Sequence, residues 1–115
     1  MRALVLHGAG QLTVESVPDP TPPNAHGAVV RILRTAICGS DLHMFHGMAV
    51  GFPLRVGHEF VGEVIEVGSE VRRFATGDMV LVAAVIGCDQ CSKCLRGDVV
   101  ACANGGPRVF GVTPE

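Results

Sequence analysis

The chain has 115 residues, enough for one domain with a modest core. A net charge of −2 leaves no basic stripe for a nucleic-acid backbone, and no apolar run approaches the length of a membrane span. With 48% hydrophobic residues against 17% charged ones, the surface is poor in charge, and some of its apolar area is expected to lie against a partner or a further domain.

Trp and Tyr are absent, so the core is expected to be aliphatic, built from Val, Leu, Ile and Ala. Fifteen glycines and seven prolines imply many turns, as in an all-β domain. Arg2 to His7 reads as a first strand, with a short apolar run, Ala3-Leu4-Val5-Leu6, too short for a signal peptide. Gly8-Ala9-Gly10 reads as a turn and Leu12 to Val17 as the second strand of a hairpin. Gly8-x-Gly10 is not a dinucleotide fingerprint: Thr13 stands where the third glycine belongs, and a strand pattern follows rather than a helix.

Pro18 to Gly27 is an extended, proline-rich connector. Ala28 to Ala36 reads as a long strand whose alternation breaks between Arg31 and Arg34, which calls for a bulge or a sheet covered on both faces. Ile37 to Gly47 is expected to become a short helix capped by Ser40 or Asp41 and ended by Gly47. Met48 to Val56 reads as a loop, and Phe60 to Val67 as a strand closed by a turn at Gly68-Ser69. Val71 to Phe74 is short and partly polar, and Gly77-Asp78 is another turn. Met79 to Val85 is a continuous apolar strand, and residues 103–115 are weakly patterned.

Two groups of residues carry chemistry. Cys88, Cys91, Cys94 and Cys102 stand at C-x2-C-x2-C-x7-C spacing, which lets four thiolates converge on one tetrahedral zinc. A structural-zinc lobe over residues 87–102 is therefore expected. Buried or disulfide-linked cysteines are the bland alternative, but cysteines three residues apart seldom bridge well in a loop. A thioredoxin-like pair would use two cysteines, not four. A DNA-binding zinc module fails on charge, because Lys93 and Arg96 are offset by Asp89 and Asp98. Thiols kept for metal point to a cytoplasmic location. The second group is Cys38 with Ser40, Asp41 and His43, followed by His58 and Glu59. A thiolate and an imidazole are half of an open zinc site, which takes about three protein ligands and leaves one position for substrate. Taken alone this group is weak, since a lone cysteine is usually core and a lone histidine usually surface. His7, His26 and His46 read as surface histidines.

Three motifs make the chain resemble the zinc-dependent medium-chain alcohol dehydrogenases. They are Gly57-His58-Glu59-x2-Gly62-x5-Gly68-x2-Val71, the segment Cys38-Gly39-Ser40-Asp41-Leu42-His43, and the four-cysteine lobe, with Gly77-Asp78-x-Val80 as weaker support. The resemblance runs from about Arg2 to Cys102. It implies a mainly β fold, a GroES-like, partly open β-barrel with short helices and the cysteine-rich lobe, across residues 1–115. It implies Cys38, His58 and Glu59 at a catalytic zinc, with Glu59 beside the metal, either just outside its coordination sphere or as a transient ligand. Asp41 would orient an imidazole, that of His58, Ser40 would accept the alcohol proton, and His43 would pass it to solvent. Met44, Phe45 and Phe52 are expected near the substrate pocket. Each residue keeps its plainer reading: Ser40 and Asp41 as helix caps, His43 as an exposed helix residue, Glu59 as a structural acid.

The resemblance also implies partners: a small-molecule alcohol or aldehyde as substrate, and NAD(P) as hydride acceptor. No glycine-rich strand–turn–helix pattern occurs in the 115 residues, and nothing matches the third catalytic-zinc ligand. The chain therefore looks like the amino-terminal part of a longer enzyme, inactive by itself, with apolar strands that would favour a homo-oligomer. Two rivals stand beside this reading. One is a non-catalytic, zinc-stabilised β-domain acting as a binding or oligomerisation module; the other is a chaperonin-10-like ring, which needs no cysteine lobe.

Overall fold

The computed structural model describes residues 1–48 and 51–110. The chain forms β1 (Arg2–Gly8), β2 (Gln11–Ser16), β3 (Ala28–Thr35), the helix α1 (Gly39–Phe45), β4 (Leu54–Arg55), β5 (Phe60–Val67), β6 (Met79–Val82), β7 (Val85–Ile86) and β8 (Arg108–Val109). Two short 3-10 turns, Cys94–Arg96 and Val99–Ala101, lie between β7 and β8. The strands make three antiparallel groups in the order β2-β1-β4, β3-β5-β6 and β7-β8. The architecture is mainly β and, among the described residues, no sheet closes into a complete barrel. None of the described helices is long and apolar enough to cross a membrane.

The hairpin, the proline-rich connector and β5 fall where the sequence places them. The broken alternation in β3 is a bulge: Ile32 pairs with Gly62 and Arg34 with Val61, so Leu33 is the extra residue. The bulge leaves Arg31 opposite Glu63, and their side chains form an exposed ion pair at 2.6 Å. β5 is the central strand of its sheet, and Gly62 sits where a side chain would run into the neighbouring strand. A Cβ there would stand 2.4 Å from the Arg31 carbonyl oxygen across the ladder.

Four expectations need correction. The apolar run Met79 to Val85 is not one strand. β6 stops at Val82, paired with Phe60 at the start of β5, so beyond it the ladder has no partner. After Ala83-Ala84 the chain turns to pair as β7 with β8, inside the stretch that had looked unpatterned. Met48 to Val56 is not all loop, because Leu54 and Arg55 add a third strand to the hairpin by pairing with Leu6 and Val5; residues 49–50 lie outside the described residues. The residue at the N-cap of α1 is Cys38, not Ser40 or Asp41; Asp41 reaches back from the first turn and accepts the Cys38 backbone N–H at 2.9 Å. Finally, Met44 is not a pocket residue. It is fully buried in a cluster with Leu6 and Leu54, flanked by Phe45 and Val56.

That cluster shows how the fold is assembled. The buried aliphatics are Val5, Leu6, Val29, Leu54 and Val64, with Met44 filling the gap beneath the helix. Met44 docks α1 on β1 and β4, and Gly10 N–H donates to the Phe45 carbonyl at 2.8 Å. Gly47, at φ +103, ends the helix in a conformation that a glycine adopts without strain. Leu81, Met79 and Ile37 remain largely exposed, so the sparse charge of the sequence does correspond to uncovered apolar surface.

Candidate metal centre

The end of β3 and the start of β5 are fastened together at Glu59. Its carbonyl accepts the Ala36 N–H at 3.0 Å and the Thr35 hydroxyl at 2.9 Å. This knot brings the segment that begins α1 against His58. Cys38 Sγ, a ring nitrogen of His58 and a Glu59 carboxylate oxygen all lie within 4.8 Å of one another. His58 is buried, Cys38 half-buried and Glu59 exposed.

Around His58 the two ring nitrogens have different neighbours. Nε2 stands 3.2 Å from Ser40 Oγ. Nδ1 faces Asp41 Oδ1 at 3.5 Å, beyond hydrogen-bond length, and both atoms are buried without a hydrogen-bond partner. A carboxylate aimed at one nitrogen of an imidazole that also meets a thiol and a second carboxylate is the arrangement that fixes a metal-ligating histidine. The Ser40 hydroxyl and backbone N–H, and then His58, hold the Cys38 thiol below its ordinary range, which favours the thiolate that metals bind. The donor set therefore fits a zinc ion. His43 lies one turn along α1 from Ser40 and is exposed. Among the described residues, no hydrogen bond joins the two side chains. A cleft of about 610 Å³ opens beside the site, lined by His58, Glu59, Thr35, Phe60, Leu81 and Ala83 among others. Of the three expected pocket residues, Phe45 packs on the core and Phe52 is exposed, and neither lines this cleft.

The four lobe cysteines also converge. Their sulfurs lie within 4.8 Å of one another, and all are free thiols, with Cys94 and Cys102 buried. Thiolates around one tetrahedral zinc at about 2.3 Å stand about 3.8 Å apart; Cys88 and Cys94 are 4.0 Å apart. Backbone N–H groups point at the sulfurs: Cys91 N–H donates to Cys88 Sγ at 3.4 Å, and Cys91 Sγ accepts from Cys94 N–H at 3.4 Å and Ala103 N–H at 3.5 Å. Those two donors bring the Cys91 thiol down to about 6, and backbone N–H groups of Gln90 and Cys91 lower Cys88, whereas burial pushes Cys94 up to about 12. Gly87 is the floor of the lobe, since a Cβ there would lie 2.4 Å from Cys94 Sγ. This set, too, fits zinc.

Two residues in these sites carried no signal in the sequence. Thr35 ties the strand ends together, and Asn104 places its side-chain amide 3.3 Å from Cys88 Sγ.

Residues 24–114 match the family model described as the alcohol dehydrogenase GroES-like domain. The chain is 44% identical over 112 residues to a "probable zinc-binding alcohol dehydrogenase" of Mycobacterium tuberculosis, a match covering 96% of this chain and 29% of that protein. It is 39% identical over 108 residues to the sorbitol dehydrogenase of Halalkalibacterium halodurans, covering 90% of this chain and 31% of that one. The solved structure of alcohol dehydrogenase TADH from Thermus sp. ATN1 superposes with a TM-score of 0.89 at 36% identity, covering 99% of this chain and 33% of that chain. The chain thus spans 29% to 33% of the length of these relatives. A family match across most of its length, carried on strands that bring both cysteine-containing clusters together, makes the chain a member of the alcohol dehydrogenase GroES-like domain family, the catalytic-domain family of the zinc-type alcohol dehydrogenases.

Proposed function

We propose that these residues form the zinc-binding part of the catalytic domain of a zinc-dependent, NAD(P)-linked alcohol or polyol dehydrogenase. The observation that carries the reading is the convergence of Cys38, His58 and Glu59, with Ser40 against one nitrogen of His58 and Asp41 against the other. Cys38 and His58 hold the ion, and Glu59 stands beside it. Zinc bound there supplies a Lewis acid that lowers the pKa of an alcohol. Asp41 keeps the imidazole in the tautomer that leaves Nε2 free to ligate. Ser40 accepts the proton of the alcohol, and His43, exposed one turn further on, hands it to water. The four lobe cysteines hold a second, structural zinc over residues 87–102.

Hydride needs an acceptor held beside the alcohol carbon. α1, the one α-helix among the described residues, has seven residues and follows no glycine-rich turn of the nucleotide-binding kind. A polypeptide of these 115 residues alone is therefore inactive, and turnover belongs to the longer form that the relatives exemplify. The test is to assay the full-length enzyme and the 115-residue polypeptide with NAD, NADP and a panel of primary and secondary alcohols, and to repeat it with Cys38→Ser and His58→Ala. Turnover confined to the longer form and abolished by either substitution supports the reading. Robust turnover by the short polypeptide, or full activity in both variants, overturns it and favours a non-catalytic binding module.

A further inference from the structure

Backbone N–H groups face the lobe sulfurs, and one of the sulfurs also meets a side-chain amide. Cys91 accepts two backbone N–H groups, from Cys94 and Ala103. Cys88 is faced by the backbone N–H groups of Gln90 and Cys91 and, in addition, by a side-chain donor, the Asn104 amide at 3.3 Å. Asn104 sits in the turn after Cys102, and that turn is tied back to the lobe: Ala103 N–H points at Cys91, and the Asn104 carbonyl lies 3.8 Å from Cys102 Sγ. Beyond it, Gly105 and Gly106 both take positive φ, at +81 and +79, so the chain reverses sharply and keeps residue 104 over the sulfurs. An amide has two ends, and only the NH2 end donates. Facing a sulfur that must carry negative charge to bind zinc, the donating end is the favourable one.

We propose that Asn104 is a positioning residue for the lobe metal: its side-chain N–H holds the Cys88 thiolate in ligating geometry and offsets its charge. The inference rests on the reading of residues 87–102 as a zinc lobe. A hydrogen bond to a ligand from outside the coordination sphere typically changes metal affinity by about 10- to 100-fold. Replacing the donor by a carboxylate of the same size puts like charge against the thiolate, so its effect exceeds that of simple deletion.

The experiment compares Asn104→Ala and Asn104→Asp with the parent in the full-length, zinc-loaded protein. Zinc transfer to a chromogenic chelator is timed, and the sulfur-to-cobalt charge-transfer band is recorded after cobalt replaces the lobe zinc. Val100→Ala, an exposed lobe position, controls for surface effects. Expected results are release about tenfold faster in Asn104→Ala and about 100-fold faster in Asn104→Asp, with a shifted charge-transfer band in both and parental behaviour in Val100→Ala. Far-UV circular dichroism checks folding, and if Asn104→Asp does not fold, Asn104→Ala decides. Parental release rates and an unshifted band in a folded variant overturn the role of Asn104. Failure of the parent to hold zinc through the four cysteines overturns the lobe reading itself.

Discussion

Replacing Gly62 by alanine tests how tightly the central sheet is built around the site. The new Cβ would meet the Arg31 carbonyl oxygen at 2.4 Å and Val30 Cγ1 at 2.6 Å. Carbon and carbonyl oxygen come no closer than about 3.3 Å, so the β3–β5 ladder must open by roughly 0.9 Å. The obstacle is backbone in the middle of a paired sheet, so no side-chain rotation relieves it. Overpacking of this kind costs about 1–3 kcal/mol, and a weakened ladder hydrogen bond adds about 1 kcal/mol. The lower entropy of the unfolded chain returns about 0.4–1 kcal/mol. The expected net loss is about 2–3 kcal/mol, or a melting temperature lower by roughly 10 °C for a domain of this size. With no Trp or Tyr, unfolding is best followed by far-UV circular dichroism in urea, at matched zinc loading. Gly39→Ala is the internal control, because a Cβ there meets nothing within 4 Å and its backbone angle is ordinary. It should be neutral or stabilising by up to about 1 kcal/mol. A Gly62→Ala protein within about 0.5 kcal/mol of the parent, the range of an innocuous surface change, refutes the steric reasoning.

Three further outcomes are expected. Cys88→Ser lowers the zinc content of the purified protein by one equivalent, measured by elemental analysis, and lowers the melting temperature as the lobe loses its brace. Asp41→Asn, which keeps the size but turns an amide toward His58 Nδ1, weakens zinc retention at the Cys38–His58 site by about 10- to 100-fold in chelator competition, while the lobe zinc stays put. Met44→Ala leaves a cavity between α1 and β1–β4 and costs about 2–5 kcal/mol in chemical denaturation; because that helix carries Cys38, Ser40, Asp41 and His43 on or beside it, zinc retention should fall in parallel.

What the sequence made legible follows from how local each signal is. The lobe spacing is written in gaps of two and seven residues, so four sulfurs could be grouped without knowing the fold. The strand Phe60–Val67 and the bulge near Arg34 were readable because alternation, and its interruption, are properties of neighbouring residues. The burial of Met44 was not, because it depends on which face of α1 meets β1 and β4, and Leu6 and Leu54 are far away in the chain. Neither was the break after Val82. An unbroken apolar run carries no mark of where its partner strand ends, and the new partner, Arg108–Val109, is only two residues long. Of the second cluster, the sequence could name the members, but their meeting depends on the Glu59 carbonyl gathering Thr35 and Ala36, a contact no spacing announces.

Asp41 divides its two oxygens between unlike tasks, one accepting the Cys38 amide that starts the helix, the other standing opposite His58. The start of the helix and the candidate metal site are therefore joined through a single side chain. A substitution selected to improve the helix start also re-aims the imidazole, and one selected to retune the imidazole also loosens the turn that presents the thiol. Laboratory evolution of this protein for stability should find position 41 closed to it, and should make its gains in parts of the sheet remote from that carboxylate.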